Sequence, residues 1–170
     1  FGHGVWWIEV SVHQFGVPNL LFAVGITALL VAYMALYPAL FALLLRAAPA
    51  AHQRGWRLFV LAPTLWIFGE RLREWLFTGF PWLTLGYSQI DAPLAGLAPL
   101  AGVFACSWGV VLIAVAVHEA CLGTWRARAL LGSCALLLLG AGAVLREHAW
   151  TREVQGGLEV ALVQGAVPQD

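Results

Sequence analysis

The chain has 170 residues, of which 61% are hydrophobic and 11% are charged, and its mean hydropathy is +0.82. Soluble domains are about 45–50% apolar and about 25% charged, so this composition argues against a water-soluble monomer and excludes intrinsic disorder. Nine arginines balance nine acidic residues, which leaves no basic field to attract nucleic acid.

Three runs of the sequence are long and apolar enough to cross a membrane as helices. Residues 15–45, 92–117 and 129–145 contain no charged side chain, and a spanning helix needs roughly 17–25 apolar residues. The opening segment, residues 1–16, is predicted to be the exit of an earlier membrane segment followed by a stretch that lies at the membrane interface. A signal peptide is excluded because its apolar core is only about 7–15 residues long.

A further helix is predicted over residues 57–78, although its composition is mixed. The segment is apolar from Leu58 to Gly69 and then carries charged residues in its far half. The apolar part covers only about 18 Å of a hydrocarbon core about 30 Å thick. We therefore predict one helix with a charged turn. The expected fold is an all-α membrane bundle within residues 1–157, with four spanning helices at about 19–45, 57–78, 93–117 and 128–146.

The charged turn admits two interpretations. Glu70 and Arg73 are three positions apart, as are Arg71 and Glu74, so each pair can meet on one helix face. Ionisable groups at membrane depth are costly unless they are paired or hydrated. The turn is therefore either an internally paired structure near the interface or a polar pocket that faces lipid headgroups or an active site.

The residues after the charged turn predict an interfacial loop. Gly79 and Pro81 end the helix. Aromatic side chains such as Trp82 settle where hydrocarbon meets headgroups, so they keep the loop at the membrane surface. These residues alone leave open whether the loop is structural or functional.

The distribution of arginine predicts which connections face the cytoplasm. The 46–57 and 118–128 connections carry five arginines, whereas the opposite side has four, two of them inside the predicted helix. Cytoplasmic loops are enriched in Lys and Arg. We therefore expect both connections to be cytoplasmic and both ends of the chain to lie on the other side of the membrane.

The C-terminal residues predict the beginning of a second domain. A polar break at 151–157 is followed by a β-prone run over 158–164. One strand alone cannot form a stable sheet. We therefore expect the chain to be a fragment, in which residues 158–170 begin a domain that continues beyond Asp170.

The sequence offers few candidates for catalysis or metal binding. Cys106, Cys121 and Cys134 show no zinc-ligand spacing, and buried thiols in apolar helices are unreactive. The sequence motifs of zinc proteases and of serine hydrolases do not occur. We therefore predict no metal site and no cofactor within these 170 residues.

Several motifs, in order along the chain, resemble the apolipoprotein N-acyltransferase family of bacterial lipoprotein maturation. They are WWIEVS at 6–11, ERLREWLFTGFPW at 70–82, LGYSQ at 85–89, LAGLAP at 94–99 and VQGAVPQ at 163–169. The resemblance implies a membrane bundle followed by a nitrilase-like α/β domain, whose first strand contains Val163. It also implies transfer of a fatty acyl chain from a phospholipid to the N-terminal diacylglyceryl-cysteine of an apolipoprotein.

By the same resemblance, catalysis uses a Glu-Lys-Cys triad and a thioester acyl-enzyme. The triad is expected beyond Asp170, because the sequence contains no lysine and none of its cysteines matches the nucleophile. This chain alone is therefore expected to be inactive. The implied location is the bacterial inner membrane, with several spans and both chain ends in the periplasm. The implied partners are the phospholipid donor, the apolipoprotein acceptor and membrane lipid.

The resemblance also marks candidate substrate-binding residues. Arg73 can grip a phospholipid phosphate through its guanidinium fork, and Trp82 and Trp150 can border the path of the acyl chain. The other candidates are Glu70, Tyr87 and Gln89.

The alternative interpretation is a non-enzymatic membrane module, such as a transporter subunit. Transporters also carry charged residues within the membrane. A catalytic domain after Asp170 favours the enzyme, whereas further helices favour the transporter.

Overall fold

A computed structural model of the protein describes residues 1–49, 54–152, 157 and 159–164, and the regular structure of this part is entirely helical. The helices are α1 (Trp7–Phe15), α2 (Leu20–Ala47), α3 (54–75), α4 (Ala98–Leu122) and α5 (Trp125–Glu147). Short 3₁₀ turns at Leu76–Thr78, Leu85–Gln89 and Pro93–Leu97 lie between α3 and α4.

Three helical stretches are long and apolar enough to cross a membrane, namely Leu20–Ala47, Pro93–Leu122 and Trp125–Glu147. They confirm the helices predicted at 19–45, 93–117 and 128–146. The predicted helix at 57–78 also forms as α3, but its charged turn keeps it outside this apolar set. The predicted count of four spanning helices is therefore not confirmed.

The third helix is continuous but irregular. It consists of an α-helical turn at Arg54–Trp56, a π-helical segment at Arg57–Leu61 and an α-helix at Ala62–Trp75. Pro63 lies in the first turn of the last segment, where its missing N–H is tolerated because that part of the hydrogen-bond ladder is already interrupted.

Neighbouring helices run in opposite directions. Arg57 Nη2 donates to the carbonyl of Leu45 at 2.8 Å, and the rings of Tyr33 and Phe77 lie 5.9 Å apart, so α2 and α3 are antiparallel. The same holds for α3 and α4, since Arg54 pairs with Glu119 at one end and the Arg71 guanidinium lies over the ring of Phe104 at the other. Contacts from Arg128 to Ala120 and from Arg146 to Asp91 show the same for α4 and α5.

The bundle therefore has two distinct ends. We call the end formed by 46–49, 54–57 and 118–128 the arginine end, and the end formed by residues 1–19, 76–97 and 147–152 the aromatic end. Phe1 and Trp7 lie beside Arg73 and Trp82 at the aromatic end. The N-terminal segment and the exit of α5 thus share one end of the bundle, as the predicted topology requires.

Close backbone contact holds α5 against the turn that precedes α4. A side chain at Gly96 would collide with the carbonyl oxygen of Gly142, and a side chain at Gly142 would come within 2.6 Å of the carbonyl oxygen of Pro93. Glycine at both positions lets the two segments approach more closely than any other residue allows.

The predicted strand at 158–164 is not confirmed. Residues 159–164 have no regular secondary structure, whereas Leu158 and residues 165–170 lie outside the described residues. An isolated strand has no neighbour to accept its backbone hydrogen bonds, so a β-prone segment remains irregular without the rest of a sheet.

Candidate functional site at the aromatic end

The two central charges of α3 are buried at the aromatic end. Glu70 and Arg73 each expose only 4% of their surface. One oxygen of Glu70, Oε1, accepts hydrogen bonds from the backbone N–H of Leu85 at 2.7 Å and from Trp66 Nε1 at 3.1 Å. Glu70 therefore ties the start of the second 3₁₀ turn to α3.

Arg73 ties the preceding part of the same loop to the helix. Its Nη2 donates to Thr84 Oγ1 at 3.1 Å, and the Thr84 hydroxyl donates to the carbonyl of Pro81 at 2.8 Å. The carbonyl of Arg73 also accepts from the N–H of Phe80 at 2.9 Å, and its guanidinium lies 5.7 Å from the ring centre of Phe1. We call residues 79–89, held by these contacts, the anchored loop.

Only one of the two predicted ion pairs of the charged turn forms. Arg71 Nη1 lies 3.4 Å from Glu74 Oε2, which confirms that pair. Glu70 and Arg73, both in the described part of the chain, form no ion pair within 4.0 Å, because each side chain is directed to the anchored loop instead. The fully paired interpretation of the turn is therefore wrong for Glu70 and Arg73.

Both buried charges retain an unused polar atom. Glu70 Oε2 and Arg73 Nε are buried without a hydrogen-bond partner in the described structure. An unsatisfied buried polar atom costs roughly 1–3 kcal/mol. Because of this cost, an additional polar partner at either atom would stabilise the bundle.

Residues with positive φ angles lie just before and within the anchored loop. Phe77 and Leu83 have positive φ angles of 53° and 63°, a left-handed conformation that costs about 1–2 kcal/mol for an L-residue with a side chain. Gly79 has φ 83°, and a side chain there would collide with the carbonyl of Glu74. The contacts of Glu70 and Arg73 with the loop offset this strain.

The outer surface of the anchored loop is aromatic. Trp82 is 51% exposed, stacks on Phe80 with ring centres 5.2 Å apart, and lies 6.1 Å from the ring of Trp7. Together with Tyr87 and two aliphatic neighbours, Trp82 lines a cavity of about 390 Å³. An apolar cavity with a phenol and an indole on its wall suits the boundary between acyl chains and headgroups.

The remaining predicted residues occupy two other positions. Gln89 lines a separate cavity of about 320 Å³ with Tyr87, and its Nε2 donates to Ser88 Oγ at 2.9 Å. Trp150 donates from Nε1 to the carbonyl of Leu145 at 3.1 Å and lies edge-on to His148. The structure thus brings Glu70, Arg73, Trp82 and Tyr87 together, places Gln89 beside Tyr87, and places Trp150 at the exit of α5.

Sequence reasoning missed Thr84 and Ser107, two polar residues that hold the loop. Ser107 is fully buried in α4 and its Oγ accepts from the N–H of Gly86 at 2.8 Å. Both are isolated hydroxyl residues within apolar segments. That isolation is the signal that could have found them, because a buried hydroxyl needs a partner.

One cysteine, Cys106, lines the cavity of about 320 Å³ beside Gln89. Cys106 is buried and its Sγ donates to the carbonyl of Leu94 at 3.2 Å, whereas Cys121 and Cys134 are exposed on the outside of the bundle. Cys121 lies within α4, because that helix extends to Leu122 rather than ending at residue 117. No group of three metal-ligating side chains occurs among the residues that the structure describes.

The comparisons with known proteins agree in their result. The family described as apolipoprotein N-acyltransferase N-terminal domain matches residues 1–116. Proteins named apolipoprotein N-acyltransferase from Methylococcus capsulatus and Pseudomonas putida are 41% and 40% identical over 100% of the chain, and one from Vibrio cholerae is 37% identical over 99%. The chain covers 34%, 34% and 33% of these relatives, so it spans about a third of the length of the curated relatives it matches.

Proposed function

The chain belongs to the apolipoprotein N-acyltransferase family, and from that premise we propose that it forms the membrane part of an enzyme that acylates lipoproteins. The enzyme transfers a fatty acyl chain from a phospholipid to the amino group of a diacylglyceryl-cysteine. The observation that carries this proposal for the chain itself is the anchored loop, which presents Trp82 and Tyr87 around an open cavity. Family membership favours this proposal over the transporter alternative.

The depth of the anchored loop supports a role in binding acyl chains. Tyr33 contacts Phe77 at the start of the loop region and lies about 21 Å along α2 from Ala47, at 1.5 Å per residue. Counted from the arginine end, this distance falls within the far half of a hydrocarbon core about 30 Å thick. Phospholipid tails of that leaflet can therefore reach the cavity beside Trp82 directly from the bilayer.

The residues divide into two roles in this proposal. Trp82 and Tyr87 contact the acyl chain, while Glu70 and Arg73 are positioning residues that hold the loop in place. A contact between Arg73 and a phospholipid phosphate is a second possibility for that residue, and its unpartnered Nε favours it. Gln89 lies beside Tyr87 near a headgroup position, and Trp150 borders the path toward the catalytic domain.

The chemistry itself belongs to residues outside this chain. We propose that residues 158–170 begin a nitrilase-like domain on the periplasmic side, after a membrane domain of residues 1–157, and that the Glu-Lys-Cys triad lies beyond Asp170. The N-terminal segment and the exit of α5 share the aromatic end of the bundle, and the described parts of the arginine-rich connections share the other. This arrangement supports an inner-membrane topology with the catalytic domain over the aromatic end.

A matched pair of tryptophan variants tests the proposal in the full-length protein. Trp82→Ala opens the cavity wall, so we expect a lower rate of acyl-enzyme formation from a labelled phospholipid. Trp125→Ala removes an equally large exposed side chain at the arginine end and should leave the rate unchanged. Equal rates in the two variants, at equal folded amounts, would contradict a substrate-contacting role for the anchored loop.

A further inference from the structure

A further cavity lies at the opposite, arginine end of the bundle. It has a volume of about 340 Å³, and Leu45, Arg54, Arg57, Leu58 and His118 line it. Three of these residues, Leu45, Leu58 and His118, also line a groove of about 340 Å³ that is otherwise formed by apolar side chains of α2, α3 and α4 together with Leu85. A polar cavity and an apolar groove therefore meet end to end.

The polar cavity carries unbalanced positive charge. Arg57 donates through Nη2 to the carbonyl of Leu45, but its Nε is buried without a partner in the described structure. Arg54 pairs with Glu119 at 2.7 Å yet remains 65% exposed. Glu119 is the one acidic residue in the described part of the arginine end, against the five arginines 46, 54, 57, 126 and 128. The described lining of the cavity therefore contains two arginines and no acidic side chain.

We propose that these two cavities together bind one anionic phospholipid, with its phosphate on Arg54 and Arg57 and an acyl chain in the apolar groove. A guanidinium fork matches phosphate geometry, and basic pockets between membrane helices on the cytoplasmic side bind anionic headgroups. Along α4 the groove extends from His118 to Val110, about 12 Å at 1.5 Å per residue. That length is close to half of a hydrocarbon core about 30 Å thick, so the groove fits a chain of one leaflet.

The local helix geometry contributes to the site. The π-helical segment Arg57–Leu61 begins at the arginine that lines the cavity and also contains Leu58. A π-helical segment widens a helix locally and recurs at functional sites. Here the wider turn belongs to the wall that the polar cavity and the apolar groove share.

The headgroup part of the site is separate from the proposed acyl-transfer site. The polar cavity lies at the end of the bundle opposite the anchored loop, and none of its arginines contacts residues 79–89 in the described structure. Only the far end of the apolar groove reaches the anchored loop, at Leu85. The bound phospholipid is therefore a resident lipid that stabilises the arginine end, not the acyl donor.

Lipid binding to the purified full-length protein tests this proposal. Native mass spectrometry with added phosphatidylglycerol measures the apparent Kd, and phosphatidylcholine serves as the uncharged comparison. We expect Arg57→Gln to weaken phosphatidylglycerol binding about fivefold and Arg54→Gln with Arg57→Gln about thirtyfold, with a smaller effect on phosphatidylcholine. The control is Arg46→Gln with Arg126→Gln, which removes two charges from the same end without altering the cavity lining.

A second pair of variants tests the apolar groove. Ala114 lines the groove, whereas Val117 lies on α4 outside it. Ala114→Trp should therefore weaken phosphatidylglycerol binding and Val117→Trp should not. Equal losses in the cavity and control arginine variants would overturn the proposal in favour of general surface charge. A simple anion site would give a different result. Inorganic phosphate binding would then account for the whole effect of the arginine variants, and Ala114→Trp would bind phosphatidylglycerol normally; that result would overturn the proposal.

Discussion

Replacing Thr84 by Val in the full-length protein removes the hydroxyl that accepts from Arg73 Nη2 at 3.1 Å and donates to Pro81. Because hydrogen bonds to charged groups contribute about 1.5–3 kcal/mol, we expect Thr84→Val to lower the free energy of unfolding by about that amount. Arg73→Leu should cost at least as much, since it removes the same hydrogen bond and also the positive charge nearest the buried Glu70 carboxylate.

The double variant separates anchoring from lipid binding. If Arg73 acts by holding Thr84, the combined loss should be smaller than the sum of the single losses by about 1.5–3 kcal/mol, as for residues in direct contact. Thr64→Val is the matched control, because Thr64 donates only to Val60 within α3 and lies about 13 Å along the helix from Arg73. That pair should be additive to within about 0.5 kcal/mol.

Denaturant unfolding in detergent micelles gives the free energy of unfolding of the unsubstituted protein and of each variant. Acyl transfer is measured on the same preparations. We expect both activity and stability to fall in Thr84→Val, while Arg73→Lys loses stability because an ammonium group is more strongly hydrated than a guanidinium and is therefore costlier to bury. Additive losses for Arg73→Leu and Thr84→Val would refute the anchoring argument. Full stability with low acyl transfer in Arg73→Lys would instead assign Arg73 to the phospholipid phosphate.

Two further predictions concern packing and topology. Gly96→Ala should lower the free energy of unfolding by about 1–3 kcal/mol, because the new methyl group collides with the carbonyl of Gly142; Gly140→Ala on the same helix as Gly142 has open space around it and should cost nothing. Replacing Cys106, Cys121 and Cys134 by Ala should preserve acyl transfer. In that background, Ser88→Cys and Arg126→Cys should react with a membrane-impermeant thiol reagent from opposite sides of the membrane. Labelling of both from one side would disprove the alternating topology.

The sequence predicted the helices well because their signal is local. Uncharged runs of sufficient length define α2, α4 and α5, and the helix at 57–78 also forms. The end of α4 was placed too early, at residue 117, because His118 and Glu119 read as the start of a loop. Charged residues at a helix end do not stop it, and the helix ends only where the backbone becomes extended at Gly123.

The partners of the charged turn could not be predicted from spacing. A separation of three positions correctly paired Arg71 with Glu74, and it suggested the same for Glu70 and Arg73. The structure instead directs Glu70 to Leu85 N–H, fifteen positions away. That choice depends on how α3 and the loop approach each other, and the sequence carries no local sign of it. The π-helical segment at Arg57–Leu61 escaped prediction for the same reason.

The buried charges of α3 are better understood as specifying the loop's position than as stabilising the bundle. A buried charge with incomplete hydrogen bonding is costly, and an apolar pair would commonly be at least as stable. Glu70 and Arg73 instead form directional hydrogen bonds. Glu70 accepts from Leu85 and Trp66, and Arg73 donates to Thr84. Apolar packing alone would let a loop with strained residues such as Leu83 relax. Two directed polar contacts prevent that relaxation, and they keep Trp82 exposed on the outer surface of the loop.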